Sequence, residues 1–365
     1  MRKLYKTLTF LVPSVNKLNL TENEQKVLFG LVTYPELNDS TLSKIINVKL
    51  STLTSIKRRL IEQDTFTQIR IPLLNKLGCE LLAVIHSEFN PIIPLKERIE
   101  RAKESIEIYD EIFYSTGVQE KGFSISLSRN YTNIGKINDI RTETFGLLGL
   151  LENEYPSEII FPFQTSNIIR FFNYGRTLGN FFEIETNSRK LSTDEHWFKN
   201  GEQITLTDKE KLVFVSLIEH PQKTTQKIGE IVNLSRHTVS RLRNKFYQLK
   251  LMKNLTIPNL HKLGFEILAF YHFQYNPSKT PSKEDIAVID TPSTIFLARR
   301  RFETVMISAY PSYQDYQIEK MNKIRYLKEN DLISYTPLVR KYMFDQMVFL
   351  KHFDFAPITK KILGI

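Results

Sequence analysis

Cysteine is almost absent from this sequence: Cys79 is the single one. An internal disulfide framework and a Cys-rich zinc site are therefore excluded, which suits a reducing cytosol. Long hydrophobic runs are missing too. The basic start Met1-Arg2-Lys3-Leu4-Tyr5-Lys6 leads only into Leu8 to Pro13, too short for a signal-peptide core or a membrane span. The expected location is the cytoplasm, with no membrane partner. There is no glycine-rich phosphate loop, no His-Glu-x-x-His and no nucleophile elbow. The seven histidines are scattered. His86 and His272 occupy matching places on two strand-like runs, but no further ligands accompany them, so core or interface positions are expected rather than a metal pair. No metal, cofactor or catalytic residue is expected.

Acidic residues are outnumbered, 40 against 50 Lys and Arg, which gives a formal charge of +10. That balance suits an anionic partner such as nucleic acid. With 365 residues, 41% of them hydrophobic, the chain has enough material for several compact domains.

What is present is a repeat. Leu20-Thr21-Glu22-Asn23-Glu24 returns as Leu206-Thr207-Asp208-Lys209-Glu210. At the same offset Pro35 matches Pro221, Asn47 matches Asn233, Lys76-Leu77-Gly78 matches Lys262-Leu263-Gly264, and Asn90-Pro91 matches Asn276-Pro277. A constant offset without gaps marks a duplication. Further on the similarity thins, although Phe172-Asn173-Tyr174 still parallels Phe353-Asp354-Phe355. The polar stretch Glu185 to Thr205 separates the halves. Trp197 lies within it and is expected to pack on the next helix bundle.

Each half opens with a helical pattern. Thr207 with Glu210 three residues on reads as a capping box, and Pro221 ends the helix it starts. A second helix covers about Thr225 to Val232. Asn233-Leu234-Ser235 forms a turn ending in a good N-cap, and a third helix runs from about Arg236 to Leu249, burying Val239, Leu242 and Phe246. This spacing predicts a helix-turn-helix. The outward face of the third helix carries Arg236, His237, Ser240, Arg241 and Asn244, with Arg243 and Lys245 beside them. Arg and Asn can read base edges and flanking cations can neutralise phosphates. The first copy shows Ser51, Thr52, Ser55, Lys57, Arg58 and Arg59 on its third helix, Leu50 to Gln63, but has Lys49 in the place of the capping Ser235. The second copy is the more basic.

The rest of each half alternates strand, helix, strand, strand, helix, strand. In the second half these are Phe265 to Phe273, Ser282 to Val288, Ser293 to Arg299, Glu303 to Ala309, Tyr313 to Leu327 and Val339 to Phe355. In the first they are Cys79 to Phe89, Leu95 to Tyr109, Glu111 to Ser115, Gly122 to Leu127, Asn133 to Leu151 and Glu158 to Tyr174. The order predicts a ferredoxin-like domain. The expected fold class is thus α+β: two tandem repeats, each a (winged) helix-turn-helix followed by a ferredoxin-like βαββαβ domain. The expected domains are 1–72, 73–185, 186–258 and 259–365.

A helix-turn-helix, a connecting strand and Lys-Leu-Gly opening such a domain resembles the leucine-responsive regulator (Lrp/AsnC) family, twice over. The acidic openings at Glu22-Asn23-Glu24 and Asp208-Lys209-Glu210 look like that family's first-helix start. Thr116-Gly117 followed by Glu120 is similar to its effector-binding turn. Arg299-Arg300-Arg301 stands in the matching place of the second copy, where it suits an acidic effector, a solvated turn or a salt-bridged interface. The resemblance implies a double-stranded DNA partner, a small-molecule effector and pairing through the regulatory domains, within one chain or between two.

The resulting expectation is a sequence-specific transcription regulator of archaeal or bacterial type, not an enzyme. Two alternatives stand beside it. Siroheme decarboxylases resemble the same family and keep its helix-turn-helix without binding DNA; Arg299 to Arg301 would then hold substrate carboxylates, although the segment after the recognition helix has no Arg-His cluster. The other is an architectural or plasmid-replication DNA-binding protein.

Overall fold

The computed structural model describes residues 17–107, 109–152, 155–184, 193–199 and 202–365. The basic start, the short apolar run that follows it, and residues 185–192 and 200–201 of the inter-repeat linker lie outside the described residues.

Both halves begin with three helices: α1 (Glu22–Thr33), α2 (Asp39–Ile45) and α3 (Leu50–Glu62), then β1 (Phe66–Pro72) and a 3-10 turn, Leu74–Lys76. The first ferredoxin-like unit follows as β2 (Leu81–Glu88), α4 (Leu95–Glu107), β3 (Ile112–Val118), β4 (Lys121–Ser128), α5 (Tyr131–Leu147) and β5 (Ser157–Pro162). Then come β6 (Asn167–Phe171), α6 (Gly175–Phe181) and the short α7 (Glu195–Phe198). The second half repeats the plan with α8 (Asp208–Glu219), α9 (Thr225–Val232), α10 (Arg236–Gln248) and β7 (Met252–Pro258). It continues with β8 (Ile267–Gln274), α11 (Lys283–Ile289), β9 (Thr294–Arg300), β10 (Glu303–Tyr310), α12 (Tyr313–Glu329), β11 (Leu338–Met343), β12 (Val348–His352) and α13 (Ala356–Leu363).

Local chemistry explains the helical units. Thr21 with Glu24, and Thr207 with Glu210, close capping boxes that satisfy orphan donors of α1 and α8. Ser235 caps α10 through Thr238 N, whereas Lys49 gives α3 no side-chain cap. Asn47 and Asn233 both take the left-handed conformation, φ 53°, that lets the chain turn into the third helix. Gly229 is required there as well, because a Cβ would stand 2.5 Å from Leu234 O.

The sequence pattern places the final strand at Glu158 to Tyr174 and, as one long strand or a pair of strands, at Val339 to Phe355. The structure divides each into two strands that belong to different sheets. One sheet runs β12-β3-β4-β2-β5 and the other β11-β8-β10-β9-β6. Strand β6 of the first half pairs with β9 of the second, and β12 of the second pairs with β3 of the first. After the exchanged strands, α6 packs on α1 and α13 on α8, helices that the sequence reading does not contain. The connecting strands also pair across the repeats: β1 and β7 are antiparallel, with Ile69 opposite its repeat equivalent Leu255. A pseudo-twofold axis therefore runs through this pair, and one chain reproduces an intertwined dimer.

The two sheets meet face to face. Strand alternation sends Leu82, Val84, Phe123 and Ile125 inward against Leu268, Phe270, Val305 and Ile307. The opposite faces bury Leu81 and Ala83 beneath α5 and Ala269, Tyr271 and Phe273 beneath α11 and α12. Both faces of β2 and β8 are thus covered, which is why these strands read as nearly continuous apolar runs.

Buried ion pairs fix the exchanged segments. Arg170 on β6 and Arg176 on α6 both reach the Asp290 carboxylate at 2.9 Å. Lys253 on β7 meets Asp194 at 3.0 Å, and Asp194 also accepts from Phe171 N. Trp197 lies beside Lys253, its ring 5.5 Å from the ammonium. Removing one partner of such a pair leaves an uncompensated charge in a poorly solvated place. The Asp290→Ala variant is expected to lose about 3–5 kcal/mol of stability, read from the midpoint of urea denaturation. A loss below about 1 kcal/mol, the level of surface pairs, would mean that this pair does not hold the exchange.

Candidate functional site

The third helices present the side chains expected from the sequence. On α3, Ser51, Ser55, Arg58 and Arg59 are exposed, and Thr52 and Lys57 are half-buried. Its cations already have acidic neighbours: Lys57 with Asp39 at 2.8 Å, Arg59 with Glu24 at 2.5 Å and Arg58 with Glu62 at 3.8 Å. On α10, Arg236, His237, Arg241, Asn244 and Lys245 are exposed, and Ser240 and Arg243 are half-buried. Lys245 pairs with Glu210 at 2.5 Å.

The candidate effector residues Thr116, Gly117 and Glu120 lie along the end of β3 and the turn that follows it. Thr116 and Gly117 lie inside β3, where the Thr116 hydroxyl donates to Val348 O at 2.9 Å. A Cβ on Gly117 would stand 2.8 Å from Lys121 O, so glycine is needed for the close approach of β3 and β4. The turn itself contains the exposed Glu120. In the second half Arg299 donates to Pro281 O, Arg300 pairs with Glu303 at 2.5 Å, and Arg301 lies over the Phe302 ring at 5.0 Å. The arginine triplet is thus engaged by the protein itself.

The β3–β4 and β9–β10 hairpins lie at the same end of the sandwich, and there the inward faces turn polar. His86 follows Leu82 and Val84 on β2, and His272 follows Leu268 and Phe270 on β8. The imidazoles, repeat equivalents, meet across the axis with ring centres 6.2 Å apart. His86 is 4% exposed, and neither of its ring nitrogens has a hydrogen-bond partner. His272 Nε2 is also unpartnered; Glu303 Oε1 is 3.8 Å away, an ion-pair separation beyond hydrogen-bonding reach. Arg340 on β11 crosses between the sheets, donating to Ser87 O at 3.0 Å and meeting Glu88 at 3.1 Å. Its Nε and the neighbouring Tyr342 hydroxyl are buried without partners.

Burial, reinforced by Arg340 and His272, pushes the His86 imidazole down to about 3. The Glu303 carboxyl is held at about 2, chiefly by the His272 ring and then by Arg300. Sequence analysis names both histidines but misses that they meet. Their common offset and their inward register are the available signals. Glu88 follows His86 by two residues on β2, whereas Arg340, Tyr342 and Glu303 have no signal in the sequence, because the second sheet brings them there.

A separate surface pocket of ≈ 420 Å³ is lined by Glu111, Arg129, Asn133, Ile358, Lys361 and Ile362. Lys361 pairs with Glu111 at 2.7 Å and Arg129 donates to Ile362 O, so its charged groups satisfy one another or the backbone.

No protein-family model matches the sequence, and no curated protein sequence matches it. Among solved structures the chain is similar to the siroheme decarboxylase NirDL, with a TM-score of 0.50 and 8% identity over 94% of this chain and 99% of that one. It is also similar to Escherichia coli AsnC (TM-score 0.31, 16% identity, 39% of this chain, 93% of that one). A further match is an AsnC-family regulatory protein from Pyrococcus furiosus (TM-score 0.30, 19% identity, 40% and 89%).

The decarboxylase likeness shows the fold: an α+β architecture in which both helix-turn-helix and ferredoxin-like units belong to one chain. It corrects the expectation of a transcription regulator that is not an enzyme. The solved chain that shares this architecture end to end is an enzyme, so paired helix-turn-helix units on this scaffold do not specify regulation. None of the described helices is long and apolar enough to cross a membrane.

The depressed His86 fixes an acid response. Below about pH 6.5 the unfolded imidazole takes a proton that the folded one refuses until about pH 3. Stability therefore falls as the pH drops through this window, by up to roughly 1.4 kcal/mol per pH unit. Glu303 adds a loss in the same direction only below about pH 4.5. In urea denaturation between about pH 7 and pH 5, the His86→Leu variant should show a flatter slope than the parent. Equal slopes would assign the acid lability to other groups.

Proposed function

We propose that this chain is an Lrp-like enzyme of the siroheme decarboxylase type, acting on carboxylate arms of a tetrapyrrole. The observation that carries the reading is the buried, unpartnered His86 imidazole facing His272 at the axis of a fold shared end to end with a siroheme decarboxylase. Decarboxylation of an acetate arm turns R–CH2–COO⁻ and one proton into R–CH3 and CO2. The enzyme has to hold the carboxylate out of water and deliver a proton to the carbon that CO2 leaves.

The inter-sheet site suits both tasks. Its groups are buried between the sheets, so an acetate arm rather than the macrocycle would reach them. His86 is neutral there before substrate arrives, because burial and the Arg340 charge oppose protonation. A carboxylate entering beside it reverses that balance and favours the imidazolium, which then serves as proton donor. His272, paired with an ionised Glu303, is the second imidazole within reach.

Incubation with siroheme under anaerobic conditions tests the reading. A visible absorbance shift on binding and a product lighter by CO2 are expected. His86→Gln and His272→Gln should keep the binding shift and lower turnover roughly 10²- to 10⁴-fold. The absence of any absorbance change on mixing overturns the proposal.

A further inference from the structure

We propose that the inter-sheet cluster is a single carboxylate-binding site, one per chain, in which the second half supplies the clamp, Arg340 and Tyr342, and the first half supplies the facing imidazole, His86. This deepens the decarboxylase reading by naming the group recognised and the residues that recognise it.

Hydrogen-bonding groups are left unmet between the two sheets. Buried polar groups without partners are few in a folded protein, and each calls for an explanation. Here several gather in one place: Arg340 Nε, the Tyr342 hydroxyl, both His86 nitrogens and His272 Nε2. Arg340 and Tyr342 are 5% and 0% exposed, so solvent does not satisfy them. Arg340 Nε can only donate, a tyrosine hydroxyl donates readily, and a neutral imidazole contributes one N–H. A donor-rich cluster takes an acceptor. A cation is disfavoured beside His86, because the fixed charge acting on that imidazole is the Arg340 guanidinium, with Glu88 and Glu303 paired to Arg340 and Arg300. A carboxylate offers two acceptor oxygens in one plane, which match the free Nε–H of Arg340 and the hydroxyl beside it.

The site is not repeated. His86 pairs with Ser157 across β2–β5 and His272 with Leu338 across β8–β11, which aligns the two outer strands. In that alignment Arg340 corresponds to Ile159 and Tyr342 to Phe161, both buried and apolar. Glu303 likewise corresponds to Lys121. Two identical subunits would place two clamps or none about their axis. Fusion of the halves into one chain frees the two sides of the axis to differ.

Acetate is the probe, titrated into protein labelled with ¹⁵N at histidine, with the imidazole resonances followed. One saturable event per chain that moves the His86 signals is expected. Tyr342→Phe, which keeps the packing, and Arg340→Met should each weaken it by roughly 10- to 100-fold. Arg340→Lys should restore part of the loss, and Ile159→Val should change nothing. No movement of His86 at any acetate concentration overturns the proposal and leaves ordered water as the occupant. Two binding events per chain, or a Tyr342→Phe variant that binds like the parent, also overturn it. Acetate binding without any response to siroheme would retain this site and remove the decarboxylase reading. Siroheme turnover unchanged in Arg340→Met and Tyr342→Phe would do the reverse.

Discussion

Strand exchange between the two halves is the constraint on which the rest of this molecule depends. β6 leaves the first half to complete the edge of the second sheet, and β12 returns the exchange. Each exchanged strand is followed by a helix that seats on the helical unit of its own half, α6 on α1 and α13 on α8. The halves consequently share sheets, core and inter-domain contacts. The chain cannot open about its linker without breaking β ladders and exposing the apolar layer between the sheets.

That layer sets the geometry of everything functional. Repeat-equivalent residues meet themselves at the axis, Ile69 against Leu255 in the connecting strands and His86 near His272 between the sheets. An apolar pair at such a place is simply packed. A histidine pair is different, because two imidazolium ions at this distance in a poorly solvated layer repel each other and each is costly to bury. The depressed His86 records that cost. Asp290 between Arg170 and Arg176 shows the alternative solution, in which buried charges are paired.

Divergence after duplication then acts on a background of enforced near-symmetry. The outer face of the second sheet carries a buried polar network: Tyr271, Tyr310 and Lys323 linked to Glu319, beside Thr291 and Ser293. The corresponding faces of the first half are mainly aliphatic, with Arg141 bonded to Ser124 at 2.8 Å. The inter-sheet cluster follows the same rule, with Arg340 and Tyr342 on one side and Ile159 and Phe161 on the other. Helix-turn-helix units do not by themselves specify a task, so the distinguishing chemistry has to be sought in places where the copies differ.

The sequence by itself determined the duplication, the helix-turn-helix units and the ferredoxin-like order. These depend on local rules: capping boxes at Thr21 and Thr207, left-handed Asn47 and Asn233, and the change from helical to strand periodicity. It also placed the two histidines on equivalent inward positions. Only the tertiary structure decided that the last strand of each half belongs to the other half, because apolar alternation is the same whichever sheet a strand joins. It also decided that Arg340, with Tyr342 beside it, reaches the backbone next to His86, more than two hundred residues away in the chain. No local pattern encodes that approach; it follows from the packing of two sheets whose strands have already been exchanged.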